Sequence, residues 1–512
     1  MAFSNVVSAV LSGIQAEIIH VEADVSNGLP VFHMVGYLSS EVKEASERVR
    51  TAIRNCGIQL PPKKIIVNLA PATIRKRGAS FDLPIALSVL ASMGIFPEKN
   101  LGGTLVIGEL SLDGSIQKVS GILPVVRKAR EAGYRACILP KQNAAEGGLV
   151  EGISILGAGH LEEAVSHLKG AQRIIPYQKE EEGSGKDRIG FSQVDYCDIQ
   201  GQEAVKRACE VAVSGGHNLL LMGPPGSGKS MTARRIPTIL PPPSLEESME
   251  ITEIYSIMGK VDEKHPLITG RPFRSVHHTA TRAALIGGGG IPMPGEVSLA
   301  HGGVLFLDEL AEFQRTVLEV LREPLEDHQI QLARSQGHYT FPADFMLVAA
   351  MNPCPCGNYP NVEKCTCTQQ QIQQYLGKIS QPFLDRMDIC AEAPRIEYEA
   401  LSTQKVQESS EQIRQRVCRV RKIQRERYRG TEIFTNARLG VRELESYCRL
   451  GREEEQLMSR AFSTLDLTAR TYHKILRVAR TIADMDGQEQ IRPPHIKEAI
   501  GYRSLDKKYW GR

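Results

Sequence analysis

The chain has 512 residues, 42% of them hydrophobic and 24% charged, which gives room for about three domains and enough apolar material for their cores. That balance excludes a disordered chain, a collagen-like chain and a small disulfide-stapled scaffold. With Lys plus Arg at 62 and Asp plus Glu at 59, the net charge is only +3, so any contact with nucleic acid must rest on local clusters. No apolar run approaches ~18 residues, and Met1–His20 contains Glu17 and no basic start. A cytoplasmic protein without a membrane span or secretory signal is therefore expected. The cysteines number eleven, an odd count, and four of them cluster. Reduced thiols with one metal-binding group fit better than a disulfide framework.

In chain order, strand-like stretches at Ile65–Leu69, Leu105–Ile107 and Ala136–Leu139 alternate with helix-like ones at Ser40–Cys56, Leu83–Met93 and Pro124–Glu131. They read as an α/β or α+β domain over residues 1–170. A linker is expected over 171–190, because Gln178–Arg188 has no apolar residue and contains Gly-Ser-Gly. Residues 191–395 alternate strands and helices again, as an α/β core. Residues 396–512 are helical by pattern, and Pro493 and Pro494 open a last short helix. No internal repeat is visible.

The sharpest motif follows the apolar stretch Asn218–Met222. It is Gly223-Pro224-Pro225-Gly226-Ser227-Gly228-Lys229-Ser230, a G-x-x-x-x-G-K-S loop between a strand and a helix. Glycines at 223, 226 and 228 let backbone N–H groups approach phosphates, and the helix N-terminus adds partial positive charge. Lys229 is expected to neutralise the β- and γ-phosphates of ATP, and Ser230 to help hold Mg²⁺. The apolar run Val304–Leu307 ends in Asp308-Glu309, 79 residues after Lys229. Asp308 is expected in the magnesium shell, and Glu309 as the group that activates water. A third strand, Met346–Ala350, leads to Asn352, which could bond the γ-phosphate or the water; alone, an Asn at a strand end is more often a turn residue.

The order of these motifs resembles an AAA+ ATPase, and the details resemble the magnesium-chelatase-like ComM/YifB family. The resemblance is carried by residues 223–230, 277–310 (HHTATRAALIGGGGIPMPGEVSLAHGGVLFLDEL), 349–359 (AAMNPCPCGNY), 378–389 (KISQPFLDRMDI) and 467–487, and it covers essentially the whole chain. It implies an AAA+ P-loop α/β core and a C-terminal helical lid. It also implies that Arg386 acts on the nucleotide of the neighbouring subunit; an internal salt bridge to Asp385 or Asp388 is the competing role. Arg470 matches the second arginine sensor, with Arg477 as fallback on the same helix face. Gly78–Leu90 and Ile107–Leu123 are similar to the proteolytic domain of Lon-type proteases, a ribosomal S5 domain 2-like α+β fold. Where that family has Gly-Pro-Ser-Ala-Gly this chain reads Phe-Asp-Leu-Pro-Ile-Ala, and the catalytic-lysine region reads Gly121-Ile-Leu-Pro124. Ser80 and Lys118 do not fall at matching positions. A fold kept without its Ser/Lys chemistry is expected, serving for assembly or DNA binding as in RadA-type proteins.

Four further features stand outside the nucleotide motifs. Phe313–Glu326 reads as one helix, and Gln329–Arg334 with His338–Ala343 as a β-hairpin around Ser335-Gln336-Gly337. In ring helicases of similar layout such a hairpin enters the pore, which makes Arg334 a DNA phosphate contact or, equally, part of a solvated tip. Gly287–Gly290 with Pro292 and Pro294 is a second pore candidate, and His277 and His278 show no catalytic partner. Cys354, Cys356, Cys365 and Cys367 could close a structural Zn²⁺ shell or remain reduced thiols; their C-x-C spacing is tighter than usual. Glu411–Gly430 carries a net +6 and could contact DNA backbone or be a solvated helix face.

Taken with the resemblance, these features imply a homohexameric, ATP- and Mg²⁺-dependent DNA motor. It would act as a helicase or branch-migration factor on single-stranded or branched recombination intermediates, as in natural transformation. Two alternatives are a metal-insertion subunit like that of magnesium chelatase, and a protein-remodelling unfoldase. The chain has no D-x-S-x-S metal-adhesion motif, which weighs mildly against the first. No membrane partner is expected.

Overall fold

The computed structural model describes residues 3–179, 194–290, 292–334, 337–361, 363–396, 407–465 and 467–511. Most of the expected linker, 180–190, lies outside them, as do Ser335 and Gln336 at the hairpin turn. The contacts divide the chain into two units. One comprises Met1–Lys186 with Leu245–Ile268, the other Asp187–Ser244 with Thr269–Arg512. The contiguous span 191–395 is therefore interrupted. Its segment 245–268 packs with the first unit, because the helix Leu245–Ile257 carries buried side chains (Ile251, Ile254, Ile257) that need a partner surface.

In the first unit, β1 (Phe3–Ser12), β2 (Gln15–Ser26), β3 (Val31–Val35), β4 (Lys64–Ala70), β5 (Thr104–Val106), β8 (Ala136–Pro140) and β9 (Ser154–Ala158) form one mixed sheet, in the order β3-β4-β2-β1-β5-β8-β9. A small ribbon of β6 (Glu109–Leu110) and β7 (Ile116–Gln117) stands apart. The helix Ser40–Asn55 buries Val42, Ala45, Val49, Ala52 and Ile53, a stripe at helical spacing. The helix Asp82–Ser92 is buried all round, which explains its unbroken apolar run. A second apolar cluster surrounds the helix Ile122–Glu131 and includes Met249 of the inserted helix. The insert is also tied by polar bonds. Gly121 N–H donates to Ser256 O at 2.9 Å, and Arg127 meets Glu253 at 2.7 Å.

The second unit is built on five parallel strands: β10 (Leu219–Met222), β11 (Phe273–Val276), β12 (Val304–Leu307), β15 (Met346–Met351) and β16 (Ile389–Glu392), ordered β11-β12-β15-β10-β16. The first four residues of every strand but β11 are almost wholly apolar, the pattern of strands covered on both faces. The order sets β15 between β12 and β10, so the carboxyl ends of these three strands lie side by side. Between β12 and β15 the chain makes the hairpin of β13 (Gln329–Arg334) and β14 (Gly337–Pro342), in register from Gln329 opposite Pro342 to Arg334 opposite Gly337. The single helix expected over 313–326 is instead two, Arg315–Glu319 and Arg322–Asp327. Pro324 has no N–H to bond back to residue 320, so the helix restarts in the turn that contains it.

The helices Val441–Tyr447, Arg452–Leu465, Ala469–Met485 and Pro493–Gly501 follow the sheet. Their centre is polar. Asp484, 2% exposed, accepts from Arg427 at 2.8 Å, from Arg480 at 3.1 Å and from Asn436 at 2.9 Å. Two guanidiniums and an amide compensate the buried carboxylate and fix the helix Ser410–Arg427 against the helix Ala469–Met485. Among the described residues, no helix is long and apolar enough to cross a membrane.

Candidate nucleotide site

The glycine loop leaves the end of β10 and turns into the helix Lys229–Ile239. Its glycines have different jobs. At Gly223 a Cβ would stand 2.1 Å from the Ala393 carbonyl oxygen, so only hydrogen fits. At Gly226 and Gly228 the backbone is left-handed, with φ of 74° and 84°, and a Cβ at Gly226 would meet nothing within 4 Å. Lys229 folds back into the loop and donates to Gly223 O at 2.7 Å and Pro224 O at 2.8 Å, and to Asn352 Oδ1 at 3.2 Å. Burial pushes its ammonium down to about 8, with Asp308 opposing. Carbonyl dipoles hold the cation where a phosphate would supply full negative charge.

Ser230 Oγ donates to Asp308 Oδ2 at 2.6 Å, and Asp308 Oδ1 accepts from Glu309 N–H at 2.9 Å. The hydroxyl and the carboxylate thus meet at one point, the pair of hard oxygen donors that suits Mg²⁺. Among the described residues, Glu309 is one of three non-glycine positions with positive φ, 51°, directly after β12. Strained backbone of this kind concentrates at functional positions. Its carboxylate lies 3.1 Å from His278 Nδ1. His278 therefore has a partner in the site, contrary to expectation. It follows the end of β11, next to β12, and stacks edge-on to Phe313 with ring centroids 6.5 Å apart. No sequence signal pointed to this pairing, which depends on β11 and β12 being neighbours.

Sequence reasoning also missed Gln202 and Asn218. Gln202, at φ 63°, donates to Ser227 O at 3.2 Å and to Pro394 O at 2.6 Å, bracing the loop from outside. Asn218 holds the other edge of the sheet. Its side chain accepts from Leu347 N–H at 2.9 Å and donates to Arg386 O at 3.0 Å, while its N–H bonds Asp388 at 3.0 Å.

The arginines lie away from these groups. Arg386 precedes β16, and β16 runs parallel to β10 with Ile389 opposite Leu219 and Glu392 opposite Met222. Arg386 therefore sits at the amino edge of the sheet, whereas the glycine loop leaves its carboxyl edge, about 10–13 Å away along the strand. Its salt bridge is with Glu326, not with Asp385 or Asp388; those two, closest in sequence, are taken by Arg470 (3.7 Å) and by Lys474 (3.9 Å) with Asn218 N–H. Arg470 is thereby grouped with Arg386 at the amino edge. The fallback Arg477 donates to Leu439 O at 2.8 Å and is committed to the helical region's own backbone.

Arg334 is exposed at the end of β13, beside the glycine run: a Cβ on Gly288 would stand 3.6 Å from its Nη2. The basic helix Ser410–Arg427 spends much of its charge internally. Arg416 pairs with Glu210 and Glu408, each at 2.7 Å, Arg427 with Asp484, and Arg421 bonds Val213 O. Arg419, Lys422, Arg425 and, just beyond the helix, Arg429 remain exposed.

The four clustered cysteines converge. Cys354 Sγ lies 3.4 Å from Cys356 Sγ and 3.9 Å from Cys365 Sγ, Cys356 Sγ lies 3.6 Å from Cys365 Sγ, and all four sulfurs lie within 4.8 Å of one another. A tetrahedron of ~2.3 Å Zn–S bonds has edges of about 3.8 Å. Tyr359 N–H points at Cys354 Sγ, 3.4 Å away, as a donor to a thiolate would. The loop also abuts the glycine loop, since a Cβ on Gly357 would stand 2.3 Å from Pro225 Cδ.

In the first unit, Phe81–Ala86 opens the helix Asp82–Ser92. Buried Asp82 is held there by Arg48 at 2.7 and 2.9 Å. Ser80 uses its carbonyl to accept from Gly108 N–H, and Lys118 pairs with Glu263 of the insert at 3.2 Å.

Relatives match this frame from end to end. The family described as "Magnesium chelatase, subunit ChlI" matches residues 195–401, "Subunit ChlI of Mg-chelatase" residues 21–143, and "Magnesium chelatase, subunit ChlI C-terminal" residues 407–503. The competence protein ComM of Haemophilus influenzae is 42% identical over 506 residues, 99% of this chain and 98% of its own. The chain belongs to the ComM/YifB family of magnesium-chelatase-like AAA+ proteins. YifB of Escherichia coli is likewise 42% identical, over 509 residues, 99% of this chain and 98% of its own. Lon protease 2 of Bacillus subtilis is 30% identical over 194 residues, 31% of this chain and 32% of its own. The fold is the mixed α/β architecture expected of such a protein: a Lon-like domain, a P-loop AAA+ core and a C-terminal helical region.

Proposed function

We propose that the protein is an ATPase that works as a ring, a homohexamer, and converts hydrolysis into movement along single-stranded or branched DNA. The observation that carries the ATPase is the convergence of Lys229, Asn352, Ser230, Asp308 and Glu309 at three adjacent strand ends. Lys229 would exchange its carbonyl partners for β- and γ-phosphate oxygens. Ser230 and Asp308 would hold Mg²⁺, which neutralises charge on those oxygens when bound. Glu309, once clear of His278, would orient and deprotonate the attacking water, with Asn352 bonding the γ-phosphate or that water. Arg386 and Arg470 belong to the opposite edge of the sheet, which supports their service to the neighbouring subunit's nucleotide. Hydrolysis would then depend on assembly.

DNA as the substrate is supported by exposed Arg334 on a hairpin beside Gly288, and by the name of the ComM relative, a competence protein. Branch migration or unwinding of recombination intermediates is the activity we propose. A second reading, a metal-insertion subunit, is favoured by the magnesium-chelatase families that match 195–401 and 407–503. The test is ATP turnover without polymer, with single-stranded DNA, with a four-way junction and with unfolded protein, using Lys229→Ala and Glu309→Gln as controls. Stimulation by either DNA, lost in both variants while Glu309→Gln still binds ATP, supports the reading. Stimulation by unfolded protein alone, or normal turnover in Lys229→Ala, contradicts it.

We further propose that the four cysteines hold one structural Zn²⁺, closed to catalysis because all four positions are taken by protein. Metal analysis of protein purified without chelators should give about one zinc per chain. None would mean free thiols.

A further inference from the structure

Two features at the amino edge of the AAA+ sheet belong to one mechanical unit. The hairpin of β13 and β14 does not leave the sheet freely; each of its roots is held by an ion pair to an arginine elsewhere. Before the hairpin, Glu326 lies in the last turn of the short helix Arg322–Asp327, two residues from His328, whose left-handed turn (φ 56°) leads into β13. Its carboxylate pairs with Arg386. After the hairpin, Asp344 pairs with Arg438 and donates its N–H to His301 Nδ1 at 3.1 Å. The roots are closed on each other by Ala343 N–H to His328 O at 2.8 Å, so the hairpin moves with both of them.

Arg386 has reason to rest on Glu326. Its side chain is 13% exposed and its Nε is buried without a hydrogen-bond partner. Burial disfavours its charge first, and the nearby guanidiniums of Arg470 and Arg322 add to that. A carboxylate is what compensates such a group. The same pairing occupies the cation that hydrolysis next door requires. Glu326 itself is 54% exposed and gives up little by exchanging Arg386 for water.

We infer that Glu326 is a positioning residue that withholds Arg386 until the hairpin root shifts, so that polymer held by the hairpin of one subunit releases the arginine that serves its neighbour's nucleotide. This rests on the reading of Arg386 as acting in trans. The order of events follows from the connections: a pull on β13 displaces the end of the helix Arg322–Asp327, Glu326 moves off Arg386, and the free guanidinium turns to the phosphoryl group. Because Arg334 lies on the same strand, six residues after His328, polymer contact and latch share one lever.

The test uses the full-length assembled protein and four variants: Glu326→Gln, Glu326→Asp, Arg386→Ala and the double variant Glu326→Gln with Arg386→Ala. Glutamine keeps the size and removes the charge at an exposed position, and nucleotide binding to each variant checks folding. Expected is a rise of about fivefold in polymer-free ATP turnover for Glu326→Gln, the release of a half-exposed ion pair, and a matching shrinkage of the stimulation by an oligo(dT) strand. Glu326→Asp should return both toward wild type. The double variant should be as slow as Arg386→Ala alone. Turnover in Glu326→Gln that stays unchanged or falls, while Arg386→Ala is impaired, overturns the latch and leaves the trans role standing. Full activity in Arg386→Ala removes the trans role itself, and the latch with it.

Discussion

Replacing Gly223 by alanine isolates what the glycine loop does. The added methyl carbon would lie 2.1 Å from the Ala393 oxygen, 3.0 Å from the Ala393 carbonyl carbon and 3.1 Å from Ser227 Oγ. Ordinary carbon–oxygen contact needs about 3.3 Å, so something must move by about 1 Å. Ala393 is poorly able to yield, because its N–H donates to Met222 O at 2.7 Å as the extension of β16 pairing. The loop moves instead, and it carries Lys229 and the backbone N–H groups aimed at phosphate. A misplacement of that size costs about 100-fold in turnover. Gly226→Ala is the matched control. Its Cβ would meet nothing within 4 Å, and the left-handed φ of 74° costs about 1–2 kcal/mol, so turnover should fall by no more than about 30-fold. The assay is steady-state ATP turnover together with nucleotide affinity by a fluorescent analogue, on variants with unchanged far-UV spectra. A Gly223→Ala protein within about fivefold of wild type, or a Gly226→Ala protein worse than it, would refute the assignment of space to one glycine and backbone freedom to the other.

Two further expectations concern stability. Asp484→Ala strands Arg427 and Arg480 in the helical region without their carboxylate and should destabilise the second unit by about 3–5 kcal/mol, read by denaturant unfolding; less than about 1 kcal/mol would mean the arginines find other partners. The lone tryptophan, Trp510, bonds Leu376 O at 3.2 Å and reports that unit by fluorescence. His217 is wholly buried against Thr481 Oγ1 at 2.8 Å, and burial depresses its imidazole to about 4 against an ordinary 6.5. Between those values the unfolded chain binds the proton and the folded one does not. Stability is thus full above pH 6.5 and falls on acidification, by about 2 kcal/mol at pH 5. His217→Gln should lose that much less than wild type between pH 7 and pH 5, and equal losses would discharge His217 from the effect.

Local chemistry was readable in advance, and long-range partnership was not. The loop 223–230, the carboxylates 308–309 and the ribbon around Arg334 announce themselves because strand, turn and helix signals are consecutive in sequence. The one helix expected over 313–326 is broken in the turn that holds Pro324; Phe313, Val317 and Leu321 are all buried, but on separate short helices and their connections. What stayed hidden depends on strand order. His278 meets Glu309 because β11 and β12 are neighbours, and Arg386 meets Glu326 sixty residues earlier while the adjacent acids serve Arg470, Lys474 and Asn218. The insert 245–268 looks in sequence like one more helix of the core, and only its buried face against Ile122–Glu131 assigns it to the first unit.

The central claim is that each nucleotide is held by one subunit and completed by an arginine from the next. Mixing Lys229→Ala subunits, which keep Arg386, with Arg386→Ala subunits, which keep the glycine loop, tests it in one assay. Each alone should be nearly inactive, and the mixture, after reassembly, should recover ATP turnover well above the sum of the two. A mixture no more active than its parts would contradict the account.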